Sequence, residues 1–477
     1  MTPKKIAAFS LGPILGAALS FVALPATTWI FSTADVGRIS MMQVAANFCT
    51  LLYSLGLDQA YVREYHETKD KPVLLKTASA PGAALLLLCI AALFIYKPTI
   101  LSSALFSIDS STIGILAAVF LSASYISRFL SLILRMQERG LAYSASQVLP
   151  KLVFLLIILS YVLFPVDHDF MALITAQVVS TLTIMVLFAW NTRKEWLPAL
   201  NATIDKEKLS SMARFGMPLI LGSIASWGLV AADRLFLRGL STFEELGIYS
   251  VAASIAAGFS IFSGIFSTIW APTVYKWSAD GADLKKIESI IEYMLAAIFF
   301  IFVLAGSLSW LLEYLLPSKY FQVQYLITAC MVSPLLYALS EVTASGIGIA
   351  RKTSYSMAAS LIAVLVNVLG NYLLIPHYGA AGAAISTAFA FWLFLICRTE
   401  FSCLVWQAIP RAKLYGISTA ILALVICMSL FQHIQRSTWA VIWLSAGIIG
   451  AFFFKQVLAT AYRLASSSLS NLIRSPA

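Results

Sequence analysis

The chain has 477 residues, is 60% hydrophobic and carries only 11% charged residues. A soluble domain carries about 25% charged residues, so a water-soluble compact fold is excluded and a polytopic membrane protein is expected. The net charge of +10 is assigned to basic loops beside anionic lipid rather than to nucleic acid.

A membrane span needs about 20 apolar residues. In chain order such stretches fall at 6–31, 37–61, 78–96, 111–134, 145–163, 170–190 and 215–237. They continue at 245–272, 290–312, 324–349, 356–375, 380–404, 415–431 and 438–454, which gives about fourteen transmembrane helices in an all-α polytopic membrane protein. Lys4-Lys5 before an apolar run mimics a secretion signal, but the run to Phe31 is too long for one and is expected to stay as the first span. Pro13, Pro25, Pro218 and Pro334 predict kinks, which neighbouring helices tolerate by re-satisfying the freed carbonyls. With the N-terminus placed in the cytoplasm, 24 Lys and Arg fall on the inside and 6 outside, so the positive-inside rule predicts cytoplasmic N- and C-termini. All six cysteines lie in or beside apolar stretches without metal-ligand spacing. Neither a Gly-rich phosphate loop nor a Cys/His cluster occurs, so no cofactor, metal or ATP hydrolysis is expected and the chain does not read as an enzyme.

Three stretches of the first half recur in the second, in the same order. Ile14-Leu15-Gly16 with Ser20 matches Ile220-Leu221-Gly222 with Ser226, and Ala34 to Gly37 with Ser40 matches Glu244 to Gly247 with Ser250. Arg139, Tyr143, Ser144 and Pro165 match Arg351, Tyr355, Ser356 and Pro376. Six spans separate the copies, so the repeats are parallel and related by an axis along the membrane normal. The expected domains are a six-helix bundle at 1–200, a second at 201–410 around a central cleft, and two extra helices with a tail at 411–477. Such a build suits alternating access.

The stretch Phe215-Gly216-Met217-Pro218, with Asp233-Arg234 at the end of its apolar helix and Gly247-Ile248-Tyr249-Ser250 opening the next, is the most informative. Together with Asn371 to Ile385 and with Ser54-Leu55-Gly56-Leu57-Asp58 before Tyr61-Val62-Arg63, it resembles the Wzx-type O-antigen and polysaccharide flippases of the multidrug/oligosaccharidyl-lipid/polysaccharide (MOP) exporter superfamily. The resemblance implies a transporter that moves undecaprenyl-diphosphate-linked oligosaccharide across a bacterial plasma (inner) membrane. It implies ion coupling, a lipid-linked oligosaccharide and membrane lipids as partners, a polysaccharide polymerase and chain-length regulator downstream, and a monomer at work. The alternatives are a small-molecule or cation antiporter of the same superfamily and a membrane polysaccharide polymerase or ligase.

A charge at mid-bilayer costs about 2.5–3.5 kcal/mol, so intramembrane ionisable residues are site candidates. For an anionic diphosphate head these are Arg63, Arg128, Lys151 and Arg234, because guanidinium and ammonium groups replace phosphate hydration. For a coupling ion they are Glu341, Asp233 and Asp58. Gln43, Asn47, Gln147, Gln177, Asn367 and Asn371 can bond sugar hydroxyls, but such residues equally serve as glue between helices.

Overall fold

The computed structural model describes residues 3–164, 167–280, 285–460 and 463. The matched Pro165 therefore lies outside the described residues. The chain forms two compact units, Met1–Ser250 and Val251–Ala477. It is all-helical, with no strand among the described residues. Ten described helices are long and apolar enough to cross a membrane, or eleven when one bent pair is taken as a single span.

The first unit holds α1 (Pro3–Ile30), α2 (Thr33–Tyr53), α3 (Leu57–Glu64), α4 (Lys71–Tyr96) and α5 (Ile100–Phe106). It continues with α6 (Ser111–Met136), α7 (Gly140–Leu163), α8 (Phe170–Asn191), α9 (Arg193–Asn201), α10 (Lys206–Leu240) and the start of α11 (Phe243–Ala256). Helices in lipid keep every interior backbone bond, so the exposed work falls on their ends. Ser32, Asp70, Asp169 and Asp205 each accept a backbone N–H three residues on, capping α2, α4, α8 and α10.

Small residues set the packing. Along α1, Gly12 and Gly16 lie one turn apart and meet α7, where the Gly12 N–H donates to Ser144 Oγ at 3.0 Å. This is the close approach that small residues allow where lipid offers no hydrophobic drive. The expected span 37–61 is broken: α2 and α3 meet at a 60° bend, with Leu55 and Gly56 at positive φ. The helix expected to start after Arg214 and end near Asp233-Arg234 is longer at both ends, because α10 runs 35 residues and packs along α2, α3 and α4. α10 thereby belongs to the first compact unit, which runs to Ser250.

The second unit holds α12 (Phe259–Ala279), α13 (Lys285–Leu308), α14 (Leu312–Leu315), α15 (Val323–Thr343) and α16 (Ser345–Ile349). It ends with α17 (Ser354–Val405), α18 (Ala412–Leu430) and α19 (Arg436–Phe453). Most of α15 is buried from Val323 to Thr343, so this helix runs through the middle of its unit. The 52-residue α17 covers two expected spans and breaks at Gly379, whose φ of 51° and ψ of −126° no helix contains. Pro376 removes a backbone donor there and Gly379 supplies the conformation, which explains the Pro-His-Tyr-Gly run.

The turns before α7 and α17 close alike, with the left-handed residue one position out of register from the sequence match of Arg139 with Arg351. Before α7, Glu138 at φ 54° lets the Arg139 N–H reach the Leu134 carbonyl at 3.1 Å. Before α17, Arg351 at φ 57° lets the Lys352 N–H reach Ile347 at 3.0 Å. Both are the six-to-one closure that ends a helix through a left-handed residue.

Candidate functional site

A chamber of about 620 Å³ lies inside the first unit. Three helices build it by presenting polar stripes at helical spacing. On α2, Gln43, Asn47, Thr50 and Ser54 recur every three or four residues and so share one face. On α6 the stripe is Ser124, Ser127, Arg128 and Ser131; on α7 it is Tyr143, Ser146 and Gln147. Phe120 and Phe188 close the walls. A polar face in a membrane bundle must meet water, protein or ligand, because hydrocarbon leaves it unsatisfied.

Asp58 and Arg128 meet in this chamber. Arg128 donates from Nε at 3.2 Å and from a terminal nitrogen at 2.7 Å to one oxygen of Asp58. The carboxylate is buried, with 9% of its side chain exposed, while 44% of the arginine side chain is open. Arg128 therefore extends its fork into the chamber while its charge is balanced.

The remaining candidates lie apart. Arg63 leaves the chamber along α3 and stands over the Phe215 ring at 4.5 Å, a cation–π contact. It opens on a second hollow of about 780 Å³ with Lys69, Lys208, Arg214, Glu64, Glu67 and Asp70. Among the described residues no carboxylate lies within ion-pair distance of Arg63. Lys151 is held at the α1–α7 seam, its ammonium donating to the Gly16 carbonyl at 2.8 Å. Asp233 is buried and accepts a short hydrogen bond from the Tyr249 hydroxyl. Arg234 Nε donates to Ser40 Oγ at 3.0 Å, one turn along α2 from Gln43.

Glu341 sits in the second unit and pairs with Arg398 at 2.7 Å, with side chains 21% and 13% exposed. Arg398 also donates to Ser340 Oγ at 2.9 Å and lies beside Tyr337 and Phe394, whose rings stack. Arg398 is not among the candidates named from the sequence, although it lies inside the span 380–404 and within α17. Its position seven residues inside that helix was the available signal. The serine stripe on α6 was also missed; its three-four-seven spacing is legible in the sequence.

The amides separate into two kinds. In the second unit Asn367 donates to Thr387 at 2.9 Å, joining the two arms of α17, and Asn371 donates to Asn367 at 3.3 Å within the first arm. In the chamber, among the described residues, the side-chain amides of Gln43, Asn47 and Gln147 have no protein hydrogen-bond partner.

A family model described as polysaccharide biosynthesis protein matches residues 3–277, more than half of the chain. A probable low-salt glycan biosynthesis flippase of Haloferax volcanii is 23% identical over 230 residues, 44% of this chain. The chain spans about half (47%) of the length of that curated relative. Among solved structures, the lipid II flippase MurJ in an inward closed conformation superposes with a TM-score of 0.67 at 11% identity, covering 94% of this chain and 99% of that one. An inward-facing multidrug resistance MATE transporter of the MOP superfamily gives 0.55 at 13% identity, covering 87% and 99%. The fold is that of these two transporters, and the chain is a multi-pass membrane protein.

Proposed function

The chain belongs to the polysaccharide biosynthesis protein family, and from that membership we propose that it is a flippase for lipid-linked oligosaccharide. The cargo is an O-antigen, capsule or exopolysaccharide repeat unit on undecaprenyl diphosphate. It moves from the cytoplasmic to the outer leaflet of a bacterial plasma membrane, with both protein termini cytoplasmic. The two duplicated bundles, 1–200 and 201–410, alternate access, and 411–477 is an added helix pair. The protein works as a monomer and passes its product to a polymerase and a chain-length regulator.

The observation that carries this is the chamber of amide and hydroxyl stripes beside the mouth that holds Arg63. A diphosphate head needs planar, charge-assisted donors, and Arg63 with Lys208 and Arg214 provides them. Arg128, Lys151 and Arg234 each hold a protein acceptor at rest: Asp58, the Gly16 carbonyl and Ser40. A passing anionic head takes Lys151 and Arg234 from those acceptors and meets only the open N–H groups of Arg128, which stays paired with Asp58. Outward movement of the head is downhill in a cell with a negative interior, by about 2.3 kcal/mol per charge per 100 mV. The empty carrier is reset by a cation at a carboxylate, with Glu341 the site and Asp233 and Asp58 contributing. A cationic drug would need net negative charge in the chamber, and Asp58 is already balanced by Arg128 there.

The test is a deletion strain whose polyprenyl-diphosphate lipids are measured by mass spectrometry and by a membrane-impermeant sugar label. The expected result is a complete repeat unit that accumulates facing the cytoplasm. Repeat units that reach the outer leaflet but stay unpolymerised would indicate a polymerase instead. An unchanged lipid pool would indicate a small-molecule antiporter.

A further inference from the structure

Resting on the proposed carriage of a glycan lipid, we infer that the chamber of the first unit is a subsite for an uncharged sugar residue next to the diphosphate. It is distinct from the mouth that takes the phosphates. Four observations converge on it.

First, the chamber's hydrogen-bonding capacity is unspent. Gln43, Asn47 and Gln147 each offer two N–H donors and a carbonyl acceptor, and among the described residues no protein group uses their side chains. Amides that serve as glue look different, as Asn367 and Asn371 show, the first bonded to the Thr387 hydroxyl and the second to Asn367. Second, the hydroxyls have fixed roles. Ser124, Ser131 and Ser146 each donate to a carbonyl of their own helix, at 2.7, 2.7 and 2.5 Å. Their oxygens therefore face the chamber as acceptors, while the amides supply donors. A pyranose ring needs both, since each hydroxyl gives one bond and accepts others. Ser127 Oγ is buried without a partner among the described residues, which adds one more unspent group on the same wall.

Third, the chamber carries no net charge. Asp58 and Arg128 are its ionised side chains and they bond each other. A uronic or sialic carboxylate entering here has to take Arg128 from Asp58 and leave that buried carboxylate uncompensated. An uncharged sugar meets no such penalty, and the open flank of Arg128 still offers its remaining N–H groups to a hydroxyl. Fourth, the geometry fits a sugar joined to a diphosphate. Asp58 lines the chamber and Arg63 lines the mouth, and both stand on α3. Five residues of helical rise set them about 8 Å apart along the axis. Their side chains leave α3 about 140° apart, so this short helix carries the phosphates on one flank and the first sugar on the other. Phe120 and Phe188 supply apolar walls for the C–H faces of the ring.

The test uses the full-length protein in lipid nanodiscs with three synthetic probes. These are a polyprenyl diphosphate without sugar, the same lipid with one neutral hexose, and the same lipid with one hexuronic acid. The expected result is that the neutral hexose tightens binding about tenfold over the bare diphosphate lipid, and the uronic acid does not. Gln43→Leu with Asn47→Leu on α2, and separately Gln147→Leu on α7, abolish that increment, so both variants bind all three lipids alike. Arg63→Gln weakens all three probes by the same factor. Equal binding of bare and hexose lipids by the unmodified protein, or an increment that survives both amide variants, overturns the sugar subsite and leaves the flippase proposal standing. Tighter binding of the uronic lipid than of the neutral one also overturns it. Failure of every probe to bind, the bare diphosphate lipid included, overturns both.

Discussion

The hydroxyl of Ser250 donates to that of Ser40 at 2.8 Å, and these two residues occupy the same position in the two copies of the duplicated sequence. One turn back the relation is reciprocal. A Cβ on Gly37 would overlap the carbonyl of Phe243, and a Cβ on Gly247 would overlap the carbonyl of Thr33. Each glycine meets the counterpart of the residue four before it in its own copy, as at a two-fold axis. The sequence match between 34–37 and 244–247 thus marks a place where the copies touch each other across α2 and α11.

Side chains at these glycines should wedge the seam open. Gly37→Val and Gly247→Val each add volume against backbone that has no rotamer to move, and overpacking costs about 1–3 kcal/mol. Ser40→Ala removes two interhelical hydrogen bonds, from Ser250 and from Arg234, each worth about 0.6 kcal/mol on average in a membrane bundle. Thermal unfolding in detergent should therefore show the glycine variants clearly less stable and Ser40→Ala closer to the parent. Equal, small effects from all three would argue that the seam is not close-packed.

The Asp58–Arg128 pair makes a prediction about coupling. Asp58→Asn leaves a chamber-facing arginine without its counter-charge, and Arg128→Gln leaves a buried carboxylate. The second loss is the larger, because the carboxylate is the buried partner. The double variant removes both charges, so it should be more stable than Arg128→Gln alone. A double-mutant cycle on unfolding midpoints reads that coupling directly, and additive losses would mean that the pair contributes nothing.

The Arg63 mouth predicts an ionic-strength effect. Contacts between exposed charges and phosphate are screened, so binding of a polyprenyl diphosphate should weaken as salt rises. Arg63→Gln should lower affinity about tenfold and flatten that salt dependence. Arg63→Lys should recover the charge but not the planar fork or the stack on Phe215, and so fall between. Phe215→Leu should behave like a mild Arg63 defect, because it removes the face that positions the guanidinium. An unaltered salt profile in Arg63→Gln would place the phosphates elsewhere.

The apolar helices and their order could be read from the chain because lipid forces each span to be long and apolar on its own. Partnerships could not. Lys151 and Arg128 look alike in sequence, each a lone cation in an apolar helix. Only the packing of α1 on α7 puts Lys151 on the Gly16 carbonyl, and only the bend before α3 brings Asp58 to Arg128. The Gln43, Asn47, Thr50, Ser54 face of α2 follows from spacing alone. That it faces a chamber, and not another helix, depends on α6 and α7 bringing polar stripes to the same place. Glu341 shows a further limit, since its partner stands 57 residues away on α17.

The break in α17 is testable without any substrate. Gly379 holds a backbone conformation close to exclusive to glycine, so Gly379→Ala should cost about 1–3 kcal/mol. The loss should spread to the Asn367–Thr387 bond that joins the two arms across the break. Amide exchange faster at residues 367–387 in Gly379→Ala than in the parent would be the signature. An alanine variant as stable as the parent would mean that the arms can join through an ordinary helix.

Glu341 and Arg398 separate a structural from a coupling role. The pair is largely buried, so removing one partner strands the other, at about 3–5 kcal/mol. Glu341→Gln should therefore unfold well below the parent, and Glu341→Gln with Arg398→Leu should regain much of that stability. A purely structural pair would regain transport along with stability in the double variant. If Glu341 is the site of the resetting cation, the stable double variant should still lose ion-dependent transport, because no carboxylate remains to hold the ion. Transport of a fluorescent polyprenyl-diphosphate sugar into proteoliposomes, with and without an ion gradient, measures the two separately. Ion-dependent transport at the parental rate in the double variant would remove Glu341 from the coupling mechanism and leave it as the counter-charge of Arg398.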